Sequence, residues 1–260
     1  EMIWLRSSLF ALAMALFTPP YALMLLATFP LPRMLRYRII AGWARTMSAN
    51  TRAICGIRYQ VEGLERLPAT PSVILSKHHS AWETMVFQKV FPPQVHVLKR
   101  ELLWIPFFGW GLALMSPIAI DRSRGASALK SMVRQGRERI AQGFWVVVFP
   151  EGTRVAPGER RRYQPGGAWL AVKAGVRVVP VAHNAGLVWP RNAFLKRPGI
   201  KPAQLAAAEN AWGVLLANAG RLEEALGHVQ QAAAKAPQNA VIHCNLAVLL
   251  DRSGKRAEAA

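Results

Sequence analysis

The sequence predicts an α/β layered domain around a largely parallel sheet, entered through an apolar helical segment suited to a membrane and followed by an all-α tail. Three observations predict this. Short β-branched runs alternate with helical patterns between residues 57 and 183, residues 9–29 carry no charge, and the charge balance breaks near Pro202.

Among 260 residues, 33 Lys and Arg oppose 14 Asp and Glu, a formal net charge of +19 beside 52% hydrophobic content. So much apolar content excludes simple disorder. Strong positive charge points to an anionic surface or substrate, and the apolar residues favour a membrane over nucleic acid, for which no binding motif is present. Residues 203–260 hold five bases and five acids, so the excess lies in the preceding 28 bases and 9 acids. The break marks a domain boundary and divides the chain into a membrane-associated helical segment at 1–55, an α/β domain at 56–201 and a tail at 203–260. Cys55 and Cys244 lie on opposite sides of the break with no metal-ligand spacing. They are expected as buried small hydrophobes in a reducing compartment, with no disulfide and no metal.

The 21 uncharged residues 9–29 are long enough to cross a bilayer. Pro19-Pro20 interrupts them, however, and removes two backbone donors, so two short apolar pieces are expected. Arg6 precedes the run, and Arg33, Arg36 and Arg38 follow it. Positive charge at both ends favours a re-entrant hairpin with both ends on the cytoplasmic side, over a single span. A secretory signal peptide competes, but Ala27-Thr28-Phe29 lacks the small-x-small cleavage pattern.

In the central region, 73–75, 95–98, 117–120, 144–149 and 177–181 read as strands, with helices at 81–90, 102–114, 126–141 and 167–174. Continuous apolar strands such as Trp145-Val146-Val147-Val148-Phe149 imply burial on both faces and hence a parallel centre. In such folds chemistry gathers at the carboxyl ends of strands.

Two polar clusters follow strands. The first is Lys77-His78-His79-Ser80-Ala81-Trp82-Glu83. Imidazole is suited to take a proton from an alcohol near neutral pH if a carboxylate orients its other nitrogen, which His78 in the turn and Glu83 in the first helical turn can satisfy. The same residues fit the S-x-x-E capping box, in which Glu83 only closes a helix start. His79 with Glu83 is an i,i+4 alternative. The second cluster is Phe149-Pro150-Glu151-Gly152-Thr153-Arg154: a glycine for close backbone approach, a hydroxyl, and a guanidinium fork that matches phosphate. A tight turn with a solvated arginine is the structural alternative. Arg122-Ser123 after Asp121 offers another phosphate grip, while Arg160, Arg161 and Arg162 read as a solvated face or as partners for anionic headgroups.

Over roughly residues 1–200 these motifs resemble the glycerolipid acyltransferases, within them the bacterial lysophosphatidic acid acyltransferases. His78 and Glu83 stand where the family has His and, four residues between, an acid, usually Asp; Lys77 replaces the usual Asn. Lys99-Arg100-Glu101-Leu102 with Pro106, Gly109 and Arg122 resembles the second family region, Phe149 to Arg154 the third, and Val178-Val179-Pro180-Val181 the fourth. The resemblance implies a glycerolipid-acyltransferase-like fold with His78 as general base and Glu83 as its orienting carboxylate. It also implies that Arg122, Glu151, Gly152, Thr153 and Arg154 bind substrate, with Lys99 a weaker candidate for acceptor or carrier phosphates. Acyl transfer to the sn-2 hydroxyl of lysophosphatidic acid from acyl-CoA or acyl-carrier protein as co-substrate, without a further cofactor, would follow; the alternatives are the same chemistry on another glycerol-phosphate or lysolipid acceptor, or an inactive membrane-anchored scaffold with a repeat tail. So would association with membrane lipid at the cytoplasmic face of a bacterial inner membrane. Apolar residues in 102–114 and 178–181 could line an acyl channel or form plain core.

In the tail, Val214-Leu215-Leu216 recurs as Val248-Leu249-Leu250, Gly220 as Gly254 and Glu224-Ala225 as Glu258-Ala259, each displaced by 34. This resembles the tetratricopeptide helix-turn-helix unit, with Pro237 at the inter-repeat turn, and implies a possible protein partner. Only about one and a half repeats are present, fewer than the roughly three such arrays need. After Arg191 to Gly199, where the acyltransferase family has another strand and a closing helix, repeat sequence follows directly. The closing strand is therefore expected to be missing, leaving an open sheet edge.

Overall fold

The computed structural model describes residues 2–159, 161–199 and 202–254. It divides into two compact units, Glu1–Pro198 and Gly199–Ala260.

The first unit begins with α1 (Met2–Leu26) and α2 (Arg33–Ala53). It continues through β1 (Val73–Ser76), α3 (Trp82–Val90), β2 (Gln94–Lys99), a 3-10 turn (Arg100–Trp104), α4 (Phe108–Leu114) and β3 (Ile118–Ile120). It ends with α5 (Gly125–Ala141), β4 (Trp145–Val148), α6 (Gly166–Ala174), β5 (Val178–Val181) and the short α7 (Ala185–Val188). The five strands form one sheet in the order β3-β2-β4-β1-β5, all parallel, with Val73 opposite Val146 and Val178, and Lys99 opposite Ile120. Parallel pairing points every strand's carboxyl end toward one edge.

The β-branched runs become strands because side chains on both faces are buried. Val73, Val95, Ile118, Val146 and Val148 pack against Tyr37 and Ala41 of α2, Met132 of α5 and Leu170 of α6. Ile74, Trp145 and Val147 pack on the other face against Phe87 of α3. The layered parallel architecture expected from the sequence is present, and each expected strand lies within a residue or two of its observed bounds. β5 is an edge strand, half-exposed along its length, and Pro180 sits there beside Leu75, where a missing donor is tolerated.

Two expectations about helices are corrected. Residues 102–114 are not one helix. The chain breaks at Ile105-Pro106-Phe107 between the 3-10 turn and α4, because Pro106 cannot donate and disfavours helical geometry before it. Nor do Pro19 and Pro20 split the apolar run, since both lie inside an unbroken α1. Two adjacent prolines omit two ladder bonds, and packing on α2 at both sides offsets the loss. Trp43 Nε1 donates to Thr18 Oγ1 at 3.1 Å, and Tyr21 Oη donates to the Ile39 carbonyl at 2.7 Å. The helical hairpin is formed by α1 and α2 instead. α1 is long and apolar enough to cross a membrane by length and composition, and its outer side chains, Leu5 and Leu16 among them, are exposed.

The second unit holds α8 (Pro202–Asn218), α9 (Leu222–Lys235) and α10 (Ala240–Arg252), packed around Leu216, Leu226, Val229, Ile242 and Leu250. Gly220 and Gly254, displaced by 34, both take left-handed backbone at φ 78° and 77° just beyond a helix end. Glu258-Ala259, the partner of Glu224-Ala225, lies outside the described residues. Cys55 is buried as expected. Cys244 is exposed, contrary to expectation, because it stands on the outer side of α10; both thiols are free.

Candidate active site

β1 ends at Ser76 and α3 begins at Trp82, so the intervening residues turn at the carboxyl edge of the sheet. There His78 Nδ1 lies 2.8 Å from Glu83 Oε1. The same oxygen accepts the backbone N–H groups of His79 at 2.9 Å and Ser80 at 2.7 Å. Glu83 thus serves both readings of its spacing: it closes the helix start and holds the histidine. The box is not reciprocal, since Ser80 Oγ accepts from Trp82 N–H at 3.1 Å. Glu83 is fully buried. Burial pushes its carboxyl up, but the His78 and Ser80 hydrogen bonds and the nearby His183 and His78 rings hold it below its ordinary value. An ionised carboxylate accepts, so Nδ1 carries the proton of a neutral His78 and Nε2 keeps its lone pair.

The His78 ring lies on Phe149, centroids 4.1 Å apart and planes within 14°. Phe149 is the first residue beyond β4, next to β1 in the sheet, so strand order places the ring platform under the imidazole. His96, from β2, lies beyond Phe149 at 6.1 Å and 23°. Burial pushes His96 down to about 4.

The Phe149 to Arg154 loop is tied to the first cluster. Val155 N–H donates to the His78 carbonyl at 2.7 Å, and His79 Nδ1 donates to the Val155 carbonyl at 2.9 Å. The His79 ring is therefore committed to that loop and not to Glu83, which removes the i,i+4 alternative. His183, after β5, donates from Nε2 to the Lys77 carbonyl at 2.8 Å and accepts Ala185 N–H on Nδ1. Burial pushes its pKa down, in keeping with a neutral ring. Lys77 itself reaches the Glu159 carbonyl at 2.9 Å.

Gly152 takes φ 70°, a left-handed turn conformation open to glycine, with its N–H on the Phe149 carbonyl at 2.9 Å. Its carbonyl accepts from Arg122 Nη1, so the arginine after β3 clamps this loop and keeps its other donors. Burial lowers the Arg122 pKa while Glu101 opposes that. Ser123 is held by Asp121, whose Oδ1 accepts its hydroxyl at 2.5 Å and its N–H at 3.1 Å. Arg154 is exposed, its carbonyl fixed by Arg191 Nη1 at 2.7 Å. Thr153 stands half-buried between them. Glu151 is buried, and among the described residues neither of its carboxylate oxygens has a hydrogen-bond partner. Lys99 is exposed at the end of β2, on the same sheet edge. Arg161 pairs with Glu159 at 3.0 Å, Arg162 is exposed, and Arg160 lies outside the described residues.

His96, His183 and Arg191 were not singled out from sequence. His96 sits inside a strand pattern, and His183 and Arg191 become neighbours of the site only through strand order. The one available signal was that His183 falls just beyond a strand of a parallel sheet.

The acyltransferase family model matches residues 58–184. The chain is 50% identical over 184 residues to the 1-acyl-sn-glycerol-3-phosphate acyltransferase of Pseudomonas aeruginosa, covering 70% of this chain and 72% of that protein. It is 34% identical over 143 residues to the 1-acyl-sn-glycerol-3-phosphate acyltransferase alpha of Mus musculus, 54% of this chain and 50% of that one, so it spans about half of the mouse protein's length. In fold it is similar to the crystal structure of the 1-acyl-sn-glycerophosphate (LPA) acyltransferase PlsC from Thermotoga maritima. The TM-score is 0.61 at 21% identity, over 74% of this chain and 79% of that one.

Proposed function

The chain belongs to the acyltransferase family and is an enzyme of the 1-acyl-sn-glycerol-3-phosphate acyltransferase type, and from that premise we propose how its residues carry the reaction. A fatty acyl group passes from an acyl thioester, acyl-CoA or acyl-carrier protein, to the free sn-2 hydroxyl of lysophosphatidic acid, giving phosphatidic acid. The observation that carries the reading is the His78–Glu83 pair: Nδ1 is held at 2.8 Å, and among the described residues Nε2 makes no hydrogen bond.

His78 Nε2 takes the hydroxyl proton as that oxygen attacks the thioester carbonyl, and Glu83 stabilises the imidazolium that forms. Collapse of the tetrahedral adduct breaks the C–S bond, and the imidazolium returns its proton to the leaving thiolate. No acyl-enzyme and no further cofactor is needed. Arg154 and the remaining donors of Arg122 hold the acceptor's phosphate, with Lys99 as a further cation on the same edge and Glu151, Gly152 and Thr153 shaping the loop; fixing the acceptor lowers the entropic part of the barrier. α1 and its basic flanks seat the domain on the cytoplasmic face of a bacterial inner membrane, where acceptor and product reside. The helical tail is a tetratricopeptide-like element available to a protein partner.

Acyl transfer by membranes expressing this chain, with labelled acyl-CoA or acyl-carrier protein and a panel of lysophospholipids, tests the reading beside His78→Ala at equal protein level. Transfer to lysophosphatidic acid that vanishes with His78→Ala supports it; transfer that survives the substitution, or none with either donor, overturns it.

A further inference from the structure

Residues 100–114 expose large apolar side chains where the chain leaves β2 for α4: Trp104 is 78% exposed, Ile105 and Phe108 43%, and Trp110 40%. These side chains are presented by a constrained backbone. Phe107 sits at φ 61°, ψ −58°, and Phe108 N–H donates to the Pro106 carbonyl at 2.6 Å, a γ-turn that a non-glycine residue adopts only under strain. The turn is backed by Gly109, where a Cβ would fall 2.5 Å from the Leu103 carbonyl oxygen. α4 packs against α1 through Leu114 and Leu25, with Ile40 of α2 beneath, and Gly111 lies under Leu25. On the α1 side of that seam Leu23, Met24, Leu26 and Phe29 are also exposed. Lys99, just before the segment, and Arg100, its first residue, are both exposed, so cations meet aromatic and aliphatic groups over a few residues.

We propose that residues 100–114 form a second bilayer-inserting element, seated in the interfacial and upper acyl region of an anionic leaflet alongside α1. This rests on the membrane reading of α1 and deepens it. Tryptophan and phenylalanine at the apolar level with lysine and arginine at the headgroups is the arrangement that an interface with anionic lipid stabilises. A rigid turn loses little conformational freedom on entering it. Because the segment follows directly on Lys99, on the sheet edge that carries His78, the inserted turn sets that edge against the leaflet from which a lipid acceptor arrives.

The test uses the full chain with Cys244→Ser, Cys55 being buried, and an environment-sensitive label attached either through Trp104→Cys or through Leu16→Cys on the outer face of α1. Vesicles of phosphatidylcholine and phosphatidylglycerol, with and without bromine along the acyl chains, are the probe. Both labels are expected to shift to the blue and to be quenched by the brominated lipid. Quenching at position 16 alone overturns the proposal and leaves α1 as the anchor; quenching at neither position overturns both readings. Protection of the position-104 label that grows with protein concentration in the absence of vesicles marks a second copy as the occupant and also overturns it. Independently, Trp104→Ser with Trp110→Ser should weaken vesicle partitioning about tenfold or more with circular dichroism unchanged; unchanged partitioning overturns the proposal.

Discussion

Glu83 orients His78 with the oxygen that also closes the first turn of α3, Oε1 accepting from His78 Nδ1 at 2.8 Å, from Ser80 N–H at 2.7 Å and from His79 N–H at 2.9 Å. Orientation of the imidazole and integrity of the helix start are therefore one interaction. His78→Ala should lower acyl transfer by roughly 10² to 10⁴ without loss of fold. Glu83→Gln keeps an acceptor for the backbone groups and should lower transfer with a small change in melting temperature. Glu83→Ala should lower both, since stranded buried donors cost about 1–3 kcal/mol each. Steady-state rates beside thermal melts check the separation.

Stability should fall in mild acid because of His96. Its folded pKa, about 4, lies below the ordinary histidine value near 6.5. Between those values the unfolded chain binds a proton that the folded chain refuses, so stability is lost as pH falls from 6.5 toward 4 and the loss levels off below 4. The contribution is of the order of 3 kcal/mol at most. Glu83, depressed in the folded state, adds a loss that begins below its unfolded value near 4.3 and is complete once pH passes below its folded value. Melting temperature measured against pH should show the first slope, and His96→Gln should flatten it.

Arg154 and Arg122 should separate by what they hold. Arg154→Ala removes an exposed guanidinium and should raise the KM for the acceptor with little change in melting temperature. Arg122→Ala also removes the donor to the Gly152 carbonyl and should lower kcat as the Phe149 to Arg154 loop loosens. Kinetics with varied lysophosphatidic acid read the split.

Lys196 fastens α1 to the rest of the first unit. The residue is 5% exposed, and its ammonium lies 4.6 Å from the Trp189 ring centroid and 5.2 Å from those of Phe10 and Phe194, and donates to the Phe194 carbonyl at 2.8 Å. Lys196→Met keeps most of the volume but loses the cation–ring attraction, and should destabilise by about 1–2 kcal/mol. Faster limited proteolysis near residues 27–32 would accompany a lower melting temperature.

Gly186 lets α7 approach the site loops. A Cβ there would sit 2.9 Å from His79 Cβ and 3.0 Å from Pro157 Cγ, neither of them a flexible chain end. Gly186→Ala should displace His79 from the Val155 carbonyl and lower activity more than stability, read by kcat beside a thermal melt.

Much of the candidate site was legible in order along the chain because local spacing sets it. His78 and Glu83 are five residues apart across one turn, and the Phe149 to Arg154 loop is contiguous. Strands were legible for the same kind of reason, since burial on both faces of β4 demands an unbroken apolar run. The proline pair in α1 misled because a local rule predicts a break there, whereas Trp43 and Tyr21 contribute contacts that only a neighbouring helix supplies. The helix expected over 102–114 failed for the opposite reason: the local effect of Pro106 outweighed an apolar periodicity.

The sequence by itself determined the residue types, the parallel α/β class and the pairing of His78 with Glu83, all of which depend on neighbours a few positions away. Only the tertiary structure decided that Phe149 lies under His78, that Arg122 clamps Gly152 from another strand, that His96 is held neutral and that His79 is committed to Val155. Those relations follow from the strand order β3-β2-β4-β1-β5, which brings residues dozens of positions apart to one sheet edge. Strand order is fixed by the packing of α2, α3, α5 and α6 on the two faces, an outcome of the whole chain that no short segment encodes.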